Sequence, residues 1–173
     1  MNQKYLMHDL QDLYMLATPM VAESSLQDAL IFLYQREGGM VSGLVINKPE
    51  NKLVSDYLVQ PGPIGKKEVW NGGPLAKDRL IAISQVDSDL FVTDRLMSLT
   101  PHQIENCLIV SGQCIWTEAL LQEQIEQGAW LLIANKGMIP NQIPAKDRIE
   151  YIMMQAGWSL NRYIHLQEQT DHV

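Results

Sequence analysis

An α/β sandwich of the α+β kind, with a mixed, largely antiparallel sheet and helices packed on it, is the fold class this sequence predicts. Three observations carry that expectation: strand-like runs outnumber helical ones, the helical patterns arrive mostly late, and no regular strand–helix alternation of a βαβ array is present. The chain has 173 residues and 46% hydrophobic content. That is enough for one domain, residues 1–173, with a sizeable core, since domains cluster near roughly 100–150 residues.

The first apolar run is Leu13-Tyr14-Met15-Leu16, and Pro19 marks its end. The segment 26–34 is compatible with a buried strand or part of a helix. The Gly38-Gly39 turn and the apolar run 41–46 behind it favour a β-hairpin. Asn47-Lys48-Pro49 ends the returning strand, because proline restricts the residue before it and cannot donate to a ladder. Residues 52–58 are read as a short helix, and 60–65, with two prolines and two glycines, as a loop. Glu68-Val69-Trp70 reads as a short strand, and 79–83 and 90–93 as two more.

Thr100-Pro101-His102-Gln103 is a helix start. Threonine caps, proline suits the first helical position, and glutamine completes a capping box. That helix is brief, because 107–111 reads as a buried strand. A stronger helix is expected over 117–127, with Leu121 and Ile125 on one face and Gly128 at its end. A strand over 129–133 follows. Pro144 opens a last helix whose apolar stripe is Ile149, Ile152, Met153 and Ala156, closed by Gly157. Trp158, Leu160, Ile164 and Leu166 suggest a final strand, with Arg162 breaking its pattern.

Charge and composition exclude several roles. Thirteen basic against 20 acidic residues leave a net charge of −7. The nearest thing to a basic run is Lys66-Lys67, whereas nucleic-acid affinity rests on Lys and Arg at phosphates. Direct nucleic-acid binding is therefore demoted. Cys107 and Cys114 stand seven apart, and His8, His102, His165 and His172 are scattered, so no zinc pattern forms and no metal or cofactor is expected. No apolar run reaches the roughly 18 residues of a membrane span, and the first residues lack a secretory h-region. The expectation is a cytoplasmic protein without a membrane segment.

Two stretches are the most distinctive: Gly43-Leu44-Val45-Ile46-Asn47-Lys48-Pro49 and Gly72-Gly73-Pro74-Leu75-Ala76-Lys77-Asp78-Arg79. In this order, with Ala17-x-Pro19 before them and Gly112-Gln113-Cys114-Ile115-Trp116, Ala129-Trp130 and 144–148 after them, the chain resembles the bacterial YqgE/AlgH family. The resemblance spans nearly the whole sequence. It implies an α/β sandwich without a recognised DNA-binding motif, and a transcriptional-regulator label of genetic flavour that implies no mechanism. This chain is a diverged member of the pattern. Leu26 replaces a phenylalanine, Asp28 an arginine, Gln113 a tyrosine, and Ala119-Leu120 a Gly-Gln pair.

Candidate site residues come from these turns. Asn47 and Lys48, with Pro49, place an amide and a cation at a strand end, although a turn asparagine commonly bonds backbone only. Gly72-Gly73-Pro74 admits close approach of a ligand or of another backbone; Pro74 and the missing Lys-Ser/Thr argue against a phosphate loop. Asp78-Arg79 and Asp147-Arg148 suggest ion pairs that pin loops to the sheet, and Arg79 is kept as a binding candidate. Trp116 is expected to begin a helix and to line a shallow apolar cleft. Cys114, placed just before that helix, is the one reactive-thiol candidate, because a helix dipole lowers a thiol pKa.

No catalytic constellation is visible. The favoured expectation is a non-enzymatic module that binds an unknown protein or small ligand through a shallow cleft, with indirect regulatory effects. The alternatives are a thiol-dependent enzyme or redox sensor centred on Cys114, and a direct DNA-binding regulator.

Overall fold

The computed structural model describes residues 13–86, 89–135 and 139–157. Nine strands and three helices are built from them: β1 (Leu13–Ala17), β2 (Leu30–Glu37), β3 (Met40–Val45), β4 (Pro49–Leu53), β5 (Glu68–Asn71), β6 (Leu75–Val86), β7 (Asp89–Thr93), α1 (Pro101–Glu105), β8 (Cys107–Thr117), α2 (Glu118–Glu126), β9 (Trp130–Ala134) and α3 (Arg148–Gln155). The sheet runs β4-β5-β8-β3-β2-β1-β9, and β6 joins β8 and carries β7. Among the described pairings only β5 on β8 is parallel. The predicted mixed, largely antiparallel sheet with helices against it is the observed one.

The period-2 geometry of a strand explains the continuous apolar runs. Met15 and Ala17 point into one cluster, which also holds Ile31, Leu33, Val41, Cys114, Trp116, Trp130 and Leu121 of α2. Their neighbours Tyr14 and Leu16 point into the other, with Leu30, Phe32, Leu44, Ile46, Ile81, Ile83, and Ile152 and Met153 of α3. Both faces of the central strands are covered, so Leu30 to Leu33 are all fully buried. The same double burial leaves the segment ambiguous by pattern, because no polar residue alternates with the apolar ones. A third, smaller cluster lies under the short 3-10 turns, around Val54, Ile64, Val69, Leu96 and Ile109.

Local signals set several boundaries. The β2–β3 hairpin closes over Gly38 and Gly39, with Glu37 opposite Met40. The capping box of α1 forms as expected: Gln103 N–H donates to Thr100 Oγ1 at 3.2 Å, and Thr100 N–H donates to Gln103 Oε1 at 2.9 Å. Thr117 Oγ1 caps α2 by accepting from Leu120 N–H at 3.1 Å.

Four expectations are corrected. Residues 52–58 are not a helix: β4 pairs with β5 through Leu53, and only a 3-10 turn, Val54–Asp56, follows. Asp56 Oδ2 accepts from Leu53 N–H at 2.8 Å, which begins that turn and ends the strand. The loop over 60–65 contains a 3-10 segment, Gly62–Lys66. The strand expected over 79–83 extends from Leu75 to Val86, and the one over 107–111 continues to Thr117 because β3 pairs with its second half. Cys114 and Trp116 therefore lie within β8, opposite Gly43 and Val41, and not at a helix start. The final strand expected after Gly157 lies outside the described residues.

Candidate binding cleft

The first distinctive turn is built to hold chain together. Asn47 Oδ1 accepts from Leu30 N–H at 2.9 Å, and Asn47 Nδ2 donates to Asp28 O at 2.9 Å. Lys48 Nζ donates to Ser25 O at 3.2 Å. Both side chains thus reach back to the segment before β2. Pro49 opens β4 opposite Trp70 and lines a small cavity of about 170 Å³.

Behind this turn lies Arg148, which is almost fully buried. Its Nε donates to Ile143 O at 2.9 Å, its Nη1 donates to Ile46 O, and its guanidinium lies 4.1 Å from the centre of the Trp70 ring. The expected ion pair is replaced by two carbonyls and an aromatic face. Burial pulls the Arg148 pKa down, partly countered by Glu68.

The second turn is a place where backbones cross. Gly72 N–H donates to Ser111 O at 2.8 Å, and Gly72 O accepts from Val45 N–H at 2.8 Å. A Cβ at Gly72 would collide with Gly112 O and the Val110 side chain, and one at Gly73 with the Gln113 backbone. Gly112 has φ +85°, and its own Cβ would strike Gly73 O. Lys77 ties the crossing down: its Nζ donates to Asn71 Oδ1 at 2.7 Å and to Glu50 Oε2 at 3.0 Å. Ser111 Oγ donates to Lys77 O. The glycines thus admit another backbone here. Pro74 stands exposed beside them.

Cys114 and Trp116 belong to the core. Trp116 is 7% exposed and meets Trp130 edge-on, with ring centroids 5.9 Å apart. Such a pair is worth about 0.5–1.5 kcal/mol beyond its buried area. Burial pushes the Cys114 thiol up to about 12, with Glu23 adding to the rise and Lys77 opposing it. This is the opposite of the depression expected from a helix dipole.

A larger cavity, about 700 Å³, opens where the β6–β7 hairpin faces β2, β3 and β8. Its polar groups include Tyr34, Ser42, Gln113, Arg79 and Asp94, with Gln35 and Thr93 beside them, and Ile81, Leu90 and Ile115 supply apolar wall. Tyr34 Oη donates to Gln113 Oε1 at 2.6 Å. Burial raises the Tyr34 pKa, partly offset by Arg79, so the phenol is neutral at physiological pH. Arg79 pairs with Asp94, not with its neighbour Asp78: Nη2 donates to Oδ2 at 2.6 Å, with both side chains about half exposed. The hydrogen bond and charge of Arg79 hold the Asp94 carboxyl below its usual range. The cleft therefore offers a phenol, a hydroxyl, an amide, a guanidinium and a carboxylate.

Of the sequence candidates, Arg79 lines this cleft. The structure does not gather Asn47, Lys48, Gly72, Gly73, Pro74 and Trp116 around it. Tyr34, Ser42, Gln113 and Asp94 were missed, because they come from β2, β3, β8 and the residue after β7, and no local motif joins them. Gln113 did carry a signal, as the position where this chain departs from a tyrosine.

The sequence profile of the AlgH-like family matches residues 14–161. The chain belongs to the AlgH-like family. Among relatives named UPF0301 protein, one from Erwinia tasmaniensis is 24% identical over 164 residues, covering 81% of this chain and 88% of that protein. Another, YE3428 from Yersinia enterocolitica, is 28% identical over 166 residues with the same two coverages, 81% and 88%. The solution structure of the AlgH protein from Pseudomonas aeruginosa superposes with a TM-score of 0.69 at 19% identity, covering 95% of each chain. Protein DIP2367 from Corynebacterium diphtheriae gives a TM-score of 0.62 at 12% identity, covering 84% of this chain and 91% of that one. These likenesses establish the AlgH-like fold. No helix among the described residues is long and apolar enough to cross a membrane.

Proposed function

We propose that this AlgH-like chain acts by binding, not by turnover, and that the cleft between the β6–β7 hairpin and β2–β3–β8 is its ligand site. The observation that carries this reading is a cavity of about 700 Å³ whose polar groups come from rigid strands and from the Arg79–Asp94 pair at the hairpin. The cavity's volume falls in the roughly 300–1,000 Å³ range of small-ligand pockets, and its largely polar lining suits a polar ligand. Tyr34 donates its hydrogen to Gln113 Oε1, which leaves the amide Nε2 to donate to a ligand. Arg79 supplies charge for an anionic substituent by exchanging Asp94 for it.

In this reading Asn47, Lys48, Pro49, Gly72, Gly73 and Pro74 hold the two turns, while Cys114 and Trp116 fill the core. The buried, raised thiol lends no support to a Cys114 enzyme or redox sensor. A net charge of −7 lends none to direct DNA binding. A regulatory effect would pass through the ligand and a partner protein in the cytoplasm.

The test is an NMR screen of the full chain against a library of small polar metabolites. Binders are expected to shift the amides of Tyr34, Ser42, Arg79, Asp94 and Gln113, and to lose at least about tenfold in affinity in Arg79→Ala and Gln113→Leu, since each 1.4 kcal/mol is tenfold. Binders that shift the 47–49 and 72–74 turns instead, or a library without binders, would overturn the assignment.

A further inference from the structure

A second cavity, about 600 Å³, has a different chemistry and shares no lining residue with the cleft. Its walls are Pro61 and Pro63 beside the Gly62–Lys66 turn, Met97 in the Leu96–Ser98 turn, and Pro101 and Ile104 of α1. Met97 is 68% exposed and stands beside three prolines, so the groove has an accessible apolar floor. Proline walls hold their shape, so little ordering entropy is lost when something docks on them. Methionine adapts to the shape of what it meets.

The rim carries two adjacent lysines in a chain that is acidic overall. Lys66 and Lys67 both line the groove, in a chain whose net charge is −7. Among the described residues neither has a carboxylate partner, and Lys67 Nζ reaches only the backbone oxygen of Glu105, at 3.4 Å. Glu105 lines the groove as well, beside Lys67, so the rim holds two lysines against one carboxylate.

We propose that this groove binds a short segment of a partner protein in which apolar side chains are followed by carboxylates. The apolar anchors lie against Met97 and the prolines, and the carboxylates meet Lys66 and Lys67. Charge complementarity and the apolar, proline-walled floor favour a peptide. An anionic bilayer calls for clusters of about four to eight basic residues, more than this rim provides.

The experiment is a selection of displayed random dodecapeptides on the full chain, followed by fluorescence anisotropy with the enriched sequences. Enrichment of apolar residues next to Asp or Glu is expected. Such peptides should lose at least about tenfold in affinity for Met97→Asp and for the Lys66→Glu/Lys67→Glu double variant, while Gln113→Leu, on the far cleft, binds them unchanged. Met97, Lys66 and Lys67 lie outside the buried core, so thermal melts of the variants should match the parent. Peptides without acidic character, peptides that bind the charge-reversed chain equally well, or no enrichment would overturn the proposal. Loss of binding in Gln113→Leu would do so too, by moving the peptide to the cleft.

Discussion

The Asn47 amide carries two bonds across a sequence distance of 17 to 19 residues, one accepted from Leu30 N–H and one donated to Asp28 O. Asn47→Ala should cost about 1–3 kcal/mol, since it leaves polar backbone atoms without partners. For a domain of this size that is a fall in Tm of roughly 2–4 °C per kcal/mol, read by calorimetry. Asn47→Asp keeps the acceptor and loses the donor, and should fall between. Neither substitution should change ligand affinity in the cleft. The type of residue at this position was legible in the sequence, since a strand followed by Asn-Lys-Pro asks for a side chain that bonds backbone. The partner was not, because it belongs to the segment before another strand. Arg79 repeats the pattern: its importance could be read locally, but Asp94 rather than the adjacent Asp78 receives it.

At the scale of elements, β8 organises the molecule, pairing with β3, β5 and β6. The three strands can share it because Gly72, Gly73 and Gly112 let backbones approach more closely than a Cβ permits. Gly112→Ala should therefore cost about 2–4 kcal/mol, combining overpacking with a strained positive φ. Gly38→Ala is the control. Its φ is also positive, +61°, but nothing lies within 4 Å of the added carbon, so only the backbone penalty of about 1–2 kcal/mol remains. Equal losses in urea unfolding of the two variants would show that the crossing is not tight. Local chemistry made the hairpin, the α1 capping box and α2 legible. The second half of β8 was not, because Gly112, Gln113 and Cys114 resemble a turn when read without β3 beside them.

For the molecule as a whole, burial sets the pH range of stability. It pushes Cys114 up to about 12 and raises Cys107, Tyr14 and Tyr34 as well. Below the ordinary thiol value of 9.0 the group is protonated in folded and unfolded chains alike, and stability is intact. As pH rises past 9.0 the unfolded thiol ionises while the folded one does not, so stability falls until about 12. Cys114 alone should remove about 2 kcal/mol by about pH 10.5, a Tm decrease of roughly 4–8 °C. A Cys114→Ala chain should show a shallower alkaline limb, and an unchanged limb would refute the burial argument. At this scale the class of the fold was legible from the count and order of strands. The cleft was not, since it exists only where two hairpins distant in sequence face each other. The β1–β9 pairing, which joins residues 13–17 to 130–134, has a consequence for synthesis. The first strand leaves the ribosome long before its outer neighbour is made, and until then it presents a bare apolar edge, the kind of edge that recruits other chains. The sheet is thus closed on this side by one of its last-made pieces, and a newborn chain keeps that edge bare until β9 emerges.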